Sequence, residues 1–214
     1  YAAYHPAASE CYQDNSPEII ESAIDGQLRR SFLCPVHPMG KVLIFGSGQD
    51  AVGLSRHLDE LGFAVAVADP RPGRLRSHSW QLDRRNRAIL IEGGFEQARA
   101  AITPDAEMAI VVMTHSYALD LETLQGALQS AASYVGQIGA EKRTARLLAE
   151  LGALDVAPRP GVFFAPAGLD LGAETPEETA LSITAEIFSW RMGRPTVRPA
   201  GRRDLQPDAR AGRG

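Results

Sequence analysis

Short apolar runs alternate with amphipathic segments along most of the chain, which is the pattern of an α/β protein. The runs cover residues 42–45, 63–68, 88–91, 108–113 and 134–136. The first run, Val-Leu-Ile-Phe, has no apolar–polar alternation, as expected of a parallel strand that is covered on both faces. The pattern therefore predicts an α/β fold with a doubly wound, mostly parallel sheet and helices on both of its faces.

Between these runs, apolar residues recur at the spacing of a helix. This spacing predicts helices that start after residue 48, span about 95–102, lie around 119–128, start at 141 and span 175–192. The last helix has the strongest start signal, because Thr175 is an N-cap, Pro176 suits the first turn and Glu178 completes a capping box. Its buried face is expected to carry Ala180, Ile183, Thr184, Ile187 and Phe188.

The two ends of the chain differ in composition from the middle. Near the start, Ser16 and Pro17 suit the first positions of a helix, which is predicted to run to about Arg30. Residues 194–214 contain several arginines, prolines and glycines and have no apolar period. We expect an N-terminal arm with one helix at 1–40, the α/β domain at 41–193 and a disordered tail at 194–214.

A glycine turn follows the first apolar run. Gly46 and Gly48 permit a tight turn and a close approach of the backbone to a ligand, and Gly53 is expected where the next helix lies against the strand. The free N–H groups of that helix start would face a bound phosphate. The third glycine comes later than in G-x-G-x-x-G, so a plain strand-to-helix turn is the alternative. Gly46, Ser47, Gly48 and Gln49 are the candidate binding residues.

Asp69 follows the second run about twenty residues after the glycines, at the position that recognises ribose in dinucleotide-binding sheets. Three interpretations of this segment are open. The Asp69 carboxylate suits a free 2′-hydroxyl, whereas Arg71 suits a 2′-phosphate. The third interpretation is a turn formed by Pro70 and Pro72 without a ligand. With the glycine turn, the segment predicts a Rossmann-like nucleotide crevice.

Two further groups of residues border the predicted crevice. Thr114 and His115 end the fourth run, whose carboxyl end reaches the same crevice as the glycine turn. Asp170 lies on a glycine-rich loop that is expected to be ordered before the last helix. His115 has no partner that the sequence identifies, so no catalytic residue is assigned.

A second anion site is predicted at the start of the helix that follows residue 140. Lys142 and Arg143 lie at its amino terminus, where a cation opposes the helix dipole by ~0.3–1 kcal/mol. A phosphate bound by the turn containing Gly136 and Gly139 would compensate for these charges. The alternative is that Glu141 neutralises the first turn and that the cations face water.

Composition and charge exclude several classes of partner. A net charge of −4 gives no nucleic-acid footprint, and no apolar run approaches the roughly 20 residues of a membrane span. Cys11 and Cys34 form no C-x-x-C motif and no signal peptide is visible, which indicates a reduced, cytoplasmic protein, with a disulfide between them as the alternative. The spacing of His5, His37 and the cysteines matches no zinc pattern, so no metal site is predicted.

Together these segments resemble the C-terminal Rossmann domain of the xanthine dehydrogenase accessory protein family, XdhC/CoxI. The resemblance covers about residues 41–191. It rests on Val-Leu-Ile-Phe-Gly-Ser-Gly-Gln-Asp-Ala-Val at 42–52, Asp-Pro-Arg-Pro at 69–72, Thr-His at 114–115, Tyr-Val-Gly-Gln-Ile-Gly-Ala at 134–140 and Gly-Leu-Asp-Leu-Gly-Ala-Glu-Thr-Pro-Glu-Glu at 168–178. The last motif is the longest and the most specific.

The resemblance implies a role in the maturation of molybdenum hydroxylases. Members of the family bind the molybdenum cofactor, shield it during sulfuration and pass it to the apo-enzyme. For this chain it implies molybdenum cofactor (molybdopterin) or its nucleotide form as ligand, and a molybdenum hydroxylase apo-enzyme as partner. A homodimer is also left open. The competing hypotheses are an NAD(P)-dependent oxidoreductase and a regulatory module that senses NAD(H).

The chain departs from the family pattern in two places. Family members commonly carry an N-terminal domain with a cysteine-containing, glycine-rich motif, and residues 1–38 are too short and too different to hold it. No ligating cysteine is therefore transferred to Cys11 or Cys34, and a separate protein is the expected source of that domain. A second polar pair often follows Thr-His in the family, whereas Ser116 and Tyr117 stand here.

Overall fold

The structure is a computed structural model with two compact units, residues 1–38 and 39–214. It describes residues 18–24 and 27–33 by their backbone, and residues 39–77, 80 and 87–194 with their side chains. The predictions for the cysteines, for His5 and His37 and for the tail after residue 194 lie outside these described residues.

The first unit contains a β-hairpin where the sequence predicted a helix. Strands β1 (Glu18–Ile24) and β2 (Gln27–Leu33) are antiparallel, with Ile24 opposite Gln27. The helix predicted from Ser16 to Arg30 is therefore wrong. Only Asp25 and Gly26 separate the strands in the sequence, and Asp-Gly between two such segments is a strong hairpin signal that outweighs the helical spacing of the isoleucines.

The second unit is built on a six-stranded parallel sheet. Its strands are β3 (Lys41–Phe45), β4 (Ala64–Asp69), β5 (Ile89–Glu92), β6 (Met108–Val112), β7 (Tyr134–Gln137) and β8 (Phe163–Phe164). Their order in the sheet is β5-β4-β3-β6-β7-β8, and every pairing is parallel. The predicted α/β, doubly wound and parallel fold is confirmed. The direction of the strand order reverses between β3 and β6, which is the switch point of a Rossmann sheet.

Five α-helices connect and cover these strands in the described part of the chain. They are α1 (Gln49–Glu60), α2 (Phe95–Ala101), α3 (Tyr117–Gln129), α4 (Glu141–Gly152) and α5 (Pro176–Arg191). The capping box predicted for α5 is present, because Thr175 Oγ1 accepts from the Glu178 N–H at 3.2 Å and the Glu178 carboxylate accepts from the Thr175 N–H at 3.0 Å. None of the described helices has the length and apolarity that a membrane crossing requires.

Alternate strand residues point to opposite faces of the sheet and form two apolar layers. Val42 and Ile44 belong to the layer that α1 and α5 cover. Leu43 and Phe45 belong to the layer that α2, α3 and α4 cover. The first strand is thus buried on both sides, as its unbroken apolar sequence predicted.

Three details of packing differ from the sequence predictions. The strand β8 was predicted as part of a loop, because two residues are too few to give a periodic signal. On α5, Phe188 is exposed, whereas Glu186 is fully buried. A Cβ atom at Gly53 would lie 3.1 Å from Ala180 Cβ, so this glycine allows α1 to approach α5 and not its own strand.

Candidate functional site

The candidate site lies at the carboxyl ends of β3, β4 and β6, on both sides of the switch point. In a parallel α/β sheet the loops at this edge form the ligand-binding crevice. The predicted residues of the glycine turn, of the segment at Asp69 and of the Thr114 loop all follow these strand ends. The sequence therefore located the edge of the sheet correctly.

Protein contacts leave no room for a side chain at Gly46, and a side chain at Gly48 would displace Asp50. Gly46 has a φ of 114°, and a Cβ atom there would lie 2.3 Å from the Met113 carbonyl oxygen, so no side chain fits between the ends of β3 and β6. Gly48 precedes α1, and a Cβ atom there would lie 2.5 Å from Asp50 Oδ1. The third motif position is filled by the buried Ala51, which completes the G-x-G-x-x-A form of the dinucleotide motif that the sequence reading overlooked.

The Asp69 carboxylate is fully buried and is saturated with hydrogen bonds from the protein. Oδ1 accepts from the Arg71 backbone N–H at 3.0 Å and from Arg71 Nε at 2.8 Å. Oδ2 accepts from Arg71 Nη2 at 2.7 Å and from Ser47 Oγ at 2.6 Å. Burial raises the pKa of Asp69, but the hydrogen bonds from Arg71 and Ser47 together outweigh it and lower the pKa below its usual value. Asp69 is therefore a carboxylate that holds Arg71 in place.

Asp50 and His115 form a second pair, between the start of α1 and the end of β6. Asp50 Oδ2 lies 2.8 Å from His115 Nε2, and their side chains are 11% and 57% exposed. His115 adopts a left-handed φ of 57°. The hydrogen bond to Asp50 raises the pKa of His115, burial and the charge of Arg143 oppose this effect, and the charge of Asp120 adds to the rise. Asp50 occupies Nε2, so Nδ1 is the ring nitrogen left for a ligand.

Asp120 organises the third group, at the start of α3. Its Oδ1 accepts from Thr114 Oγ1 at 2.5 Å and from the Thr114 N–H at 3.2 Å, and its Oδ2 accepts from Arg143 Nη2. The Asp120 side chain is 1% exposed and the Arg143 side chain is 29% exposed. Thr114 is thus turned inward to support a buried carboxylate, and Arg143 is the exposed member of the group.

Arg143 already has an anionic partner in the chain, Asp120, so a bound phosphate is not needed to compensate for its charge, and the phosphate predicted for this turn stays a prediction. The neighbouring cation Arg146 also has local partners, because its guanidinium lies 4.7 Å from the Tyr117 ring centroid and its Nε donates to Glu150 Oε1 at 3.2 Å. Lys142 is exposed, and no hydrogen bond or ion pair of Lys142 occurs within the described parts of the chain. A ligand phosphate on Lys142 stays a prediction.

The remaining candidates lie around β7 and in the loop before α5. A Cβ atom at Gly136 would lie 2.9 Å from the Tyr134 ring, so Gly136 is needed for packing within the sheet. Gly139 has a φ of 157° and lies against the buried Gln137 amide. Gln49 and Asp170 are exposed, on α1 and on the loop after β8. The structure gives none of these four a direct indication of ligand binding.

Two arginines, one histidine and three aspartates therefore share this edge of the sheet, and they form three pairs of the same kind. Each aspartate is buried and its partner, Arg71, His115 or Arg143, is the more exposed member of the pair. The charge of Asp120 contributes to the raised pKa values of both Arg71 and His115. Sequence reasoning missed Asp50 and Asp120. A crevice built in this way exposes N–H donors and cations, so it suits an anionic ligand.

The chain is similar to one protein-family model and to two curated bacterial proteins. A family model described as the XdhC Rossmann domain matches residues 42–187. A Bacillus subtilis protein named as a probable xanthine dehydrogenase subunit is 32% identical over 166 residues, which cover 77% of this chain and 47% of that protein. The uncharacterized protein YqeB of Escherichia coli is 25% identical over 183 residues, covering 85% of this chain and 32% of that protein.

A solved structure shares the fold. It is a protein described as a xanthine dehydrogenase from Bacillus halodurans, with a TM-score of 0.60 and 24% identity over 91% of this chain and 52% of its own. This chain spans less than half the length of either curated relative. Because the family model covers more than half of the sequence, from the first strand of the sheet to α5, the chain belongs to the XdhC Rossmann domain family.

Proposed function

We propose that this protein is an accessory factor for the maturation of a molybdenum hydroxylase of the xanthine dehydrogenase or CO dehydrogenase type. In this proposal it binds the molybdenum cofactor or a nucleotide in the crevice and assists insertion of the cofactor. Family membership supports the proposal, as does the Bacillus subtilis relative, whose name assigns it to xanthine dehydrogenase.

The observation that carries the proposal is the inward position of the three aspartates. Arg71, His115 and Arg143 are each bonded to a buried carboxylate, so their orientation is set before a ligand arrives. Their exposed atoms offer donors for a phosphate, which the molybdenum cofactor and nucleotides both carry. Side chains that are fixed in advance lose less entropy on binding, which favours affinity.

The residues of this crevice fit the phosphate of such a ligand. No residue in the described part of the chain is assigned as a ligand of its molybdenum. Within the described residues, no group of three His, Cys, Asp or Glu side chains is placed to hold a metal ion. When bound, the cofactor would supply the molybdenum centre of the client enzyme, and this chain would hold and orient its phosphate. The partners in this proposal are the apo-hydroxylase and a separate protein with the family's N-terminal domain, all in the cytoplasm.

A second candidate is a protein that binds NAD(P), either as an oxidoreductase or as a sensor. The observation that favours it is the G-x-G-x-x-A motif completed by Ala51, which places a buried small residue where α1 meets the sheet. An acid–base candidate at this edge of the sheet is His115, whose Nε2 contacts Asp50. The identity of the bound ligand distinguishes the two candidates.

The test is to identify what the protein carries when it is purified without denaturation from cells that make the molybdenum cofactor. Mass spectrometry of the released ligand is expected to detect a phosphate-bearing pterin or its nucleotide.

Gly48→Val is expected to lose this ligand, because a side chain at Gly48 collides with Asp50 and disturbs its contact with His115. Gly152→Val is the matched control, since no atom lies within 4 Å of a Cβ atom there.

A second readout uses the loaded protein to activate a purified apo-hydroxylase. We expect wild type and Gly152→Val to restore activity and Gly48→Val to fail, with thermal melts of all three to verify folding. Release of NAD(P) alone, together with no activation by wild type, would replace the proposal with the second candidate.

A further inference from the structure

We infer that Arg71 recognises a phosphate group on the ribose of a bound nucleotide, and that Asp69 acts as the positioning residue behind it. The inference rests on the proposed function only in taking this crevice as the ligand site. It specifies the ligand at the end of β4 as a nucleotide with a 2′-phosphate, in preference to one with a free ribose diol.

Asp69 has no acceptor left for a ribose hydroxyl. A carboxylate offers about four acceptor positions on its two oxygens. Here they receive three donors from Arg71 and one from Ser47, all between 2.6 and 3.0 Å. The carboxylate is also 0% exposed. A ribose hydroxyl would have to displace one of these four donors and reach a carboxylate that the protein covers completely, and a new hydrogen bond of similar strength does not compensate for that rearrangement.

Arg71, in contrast, keeps N–H donors for a ligand. Asp69 receives Nε and one Nη2 hydrogen, and a guanidinium has five N–H donors in all. The Arg71 side chain is 31% exposed, so it is partly accessible to a ligand. A phosphate accepts from a guanidinium fork in a bidentate manner, which a hydroxyl cannot do.

The location of the Asp69–Arg71 pair also suits a ribose site. The Asp69–Arg71 pair follows β4, which lies beside the glycine-turn strand β3 at the place where such sheets bind the ribose next to adenine. Ser47 joins the pair directly to the glycine turn through its 2.6 Å hydrogen bond to Asp69. Pro70 and Pro72 flank Arg71 and restrict its backbone, so the guanidinium is held at this position.

The test is a calorimetric titration of the wild-type protein with adenosine 2′,5′-bisphosphate and with adenosine 5′-diphosphate. These probes carry similar charge and differ in the position of the second phosphate. We expect the 2′,5′-bisphosphate to bind about tenfold to a hundredfold more tightly, as a charge-assisted bidentate contact implies. NADPH is expected to be preferred over NADH by a similar factor.

Variants separate recognition from general charge. Arg71→Lys is expected to fold, since it keeps a cation beside Asp69, and to lose most of the preference for the 2′-phosphate because the fork is gone. Arg74→Lys is the control, because Arg74 is an exposed arginine three residues further along the chain. A wild-type protein that prefers the 5′-diphosphate, shows no preference or binds neither probe would overturn the inference. A phosphate-bearing pterin that still co-purifies in that case would leave the proposed function standing.

Discussion

At the scale of single residues, the buried aspartates decide which atoms of the crevice a ligand can reach. A carboxylate at a nucleotide site is ordinarily read as an acceptor for the ligand. In this chain Asp50, Asp69 and Asp120 accept from protein groups instead. Each carboxylate fixes the orientation of its partner side chain. A ligand therefore meets Arg71, His115 and Arg143, and not the carboxylates.

The Asp50–His115 pair should make the stability of the protein depend on pH. The folded-state pKa of His115 is raised, mainly by its hydrogen bond to Asp50. The stabilisation is therefore fully present below the unfolded pKa of about 6.5 and is lost as pH rises through the higher folded value. A double-mutant cycle with Asp50→Asn and His115→Gln is expected to give a coupling free energy of roughly 0.5 kcal/mol at about pH 5.5, small because the imidazole is largely exposed.

The same cycle at about pH 9 is the internal control. Urea unfolding should then give a smaller coupling free energy, because the imidazole is neutral and only an uncharged hydrogen bond remains. A coupling that stays constant between the two pH values, or that grows with pH, would mean that His115 is not the cationic member of the pair.

Sequence reasoning found the residues that follow strand ends more readily than the partners that they contact across the crevice. Arg71, Thr114 and His115 were selected by their positions after strand ends, which depend only on local order in the chain. Asp50 and Asp120 were not selected, because their partners lie 65 and 23 residues away in the sequence. The pairing of a buried polar group depends on tertiary contacts, and no periodicity encodes it. The binding roles of the selected residues stay predictions.

At the scale of secondary structure, the elements with a clear pattern were predicted correctly, and the hairpin and strand β8 were missed. The strands from β3 to β7 and the five helices of the described part have unbroken apolar runs, helical spacing or caps, and all of them were predicted. The hairpin of β1 and β2 was missed because Ile20 and Ile24, four residues apart, fit both the spacing of one strand face and the spacing of one helix face. The strand β8 forms only by pairing with β7, so its two residues carry no local signal.

The start of α4 provides a contrast between two neighbouring cations. Arg143→Ala is expected to lower the free energy of unfolding by about 3 kcal/mol, because it leaves the Asp120 carboxylate buried without its cation. Lys142→Ala should change the free energy of unfolding by less than about 0.5 kcal/mol, or raise it slightly, because an exposed cation opposes the helix dipole there. Urea unfolding of the empty protein measures both changes.

Lys142→Ala serves as the matched control for Arg143→Ala, since both variants remove one positive charge from the same turn. Equal destabilisation by the two substitutions would show that the loss of charge, and not the buried partner, is responsible. If Arg143→Ala stabilised the empty protein, Arg143 would be a surface cation awaiting a ligand, as the sequence alone suggested.

At the scale of the whole molecule, the sheet of the second unit is covered by elements from both ends of that unit. The first helix after the glycine turn, α1, shares one face with the last helix, α5. Ala180, Ile183 and Ile187 of α5 are 0% exposed. The buried Glu186 also accepts hydrogen bonds from Tyr134 Oη at 2.7 Å and from the Gly168 N–H at 2.8 Å. The core is therefore closed only when α5 has docked.

Two truncations of nearly equal length should therefore differ greatly in their effect on stability. Removal of residues 1–38 is expected to shift the free energy of unfolding of the rest by less than about 1 kcal/mol, because both described apolar layers lie beyond that segment. Removal of residues 176–214 should abolish cooperative unfolding, since each large apolar side chain lost from α5 removes about 1.5–3 kcal/mol of burial and uncovers a face of the sheet. Urea unfolding followed by near-ultraviolet circular dichroism distinguishes the outcomes. A cooperative transition in the chain that ends at residue 175, or its absence in the chain that starts at residue 39, would contradict this account of the core.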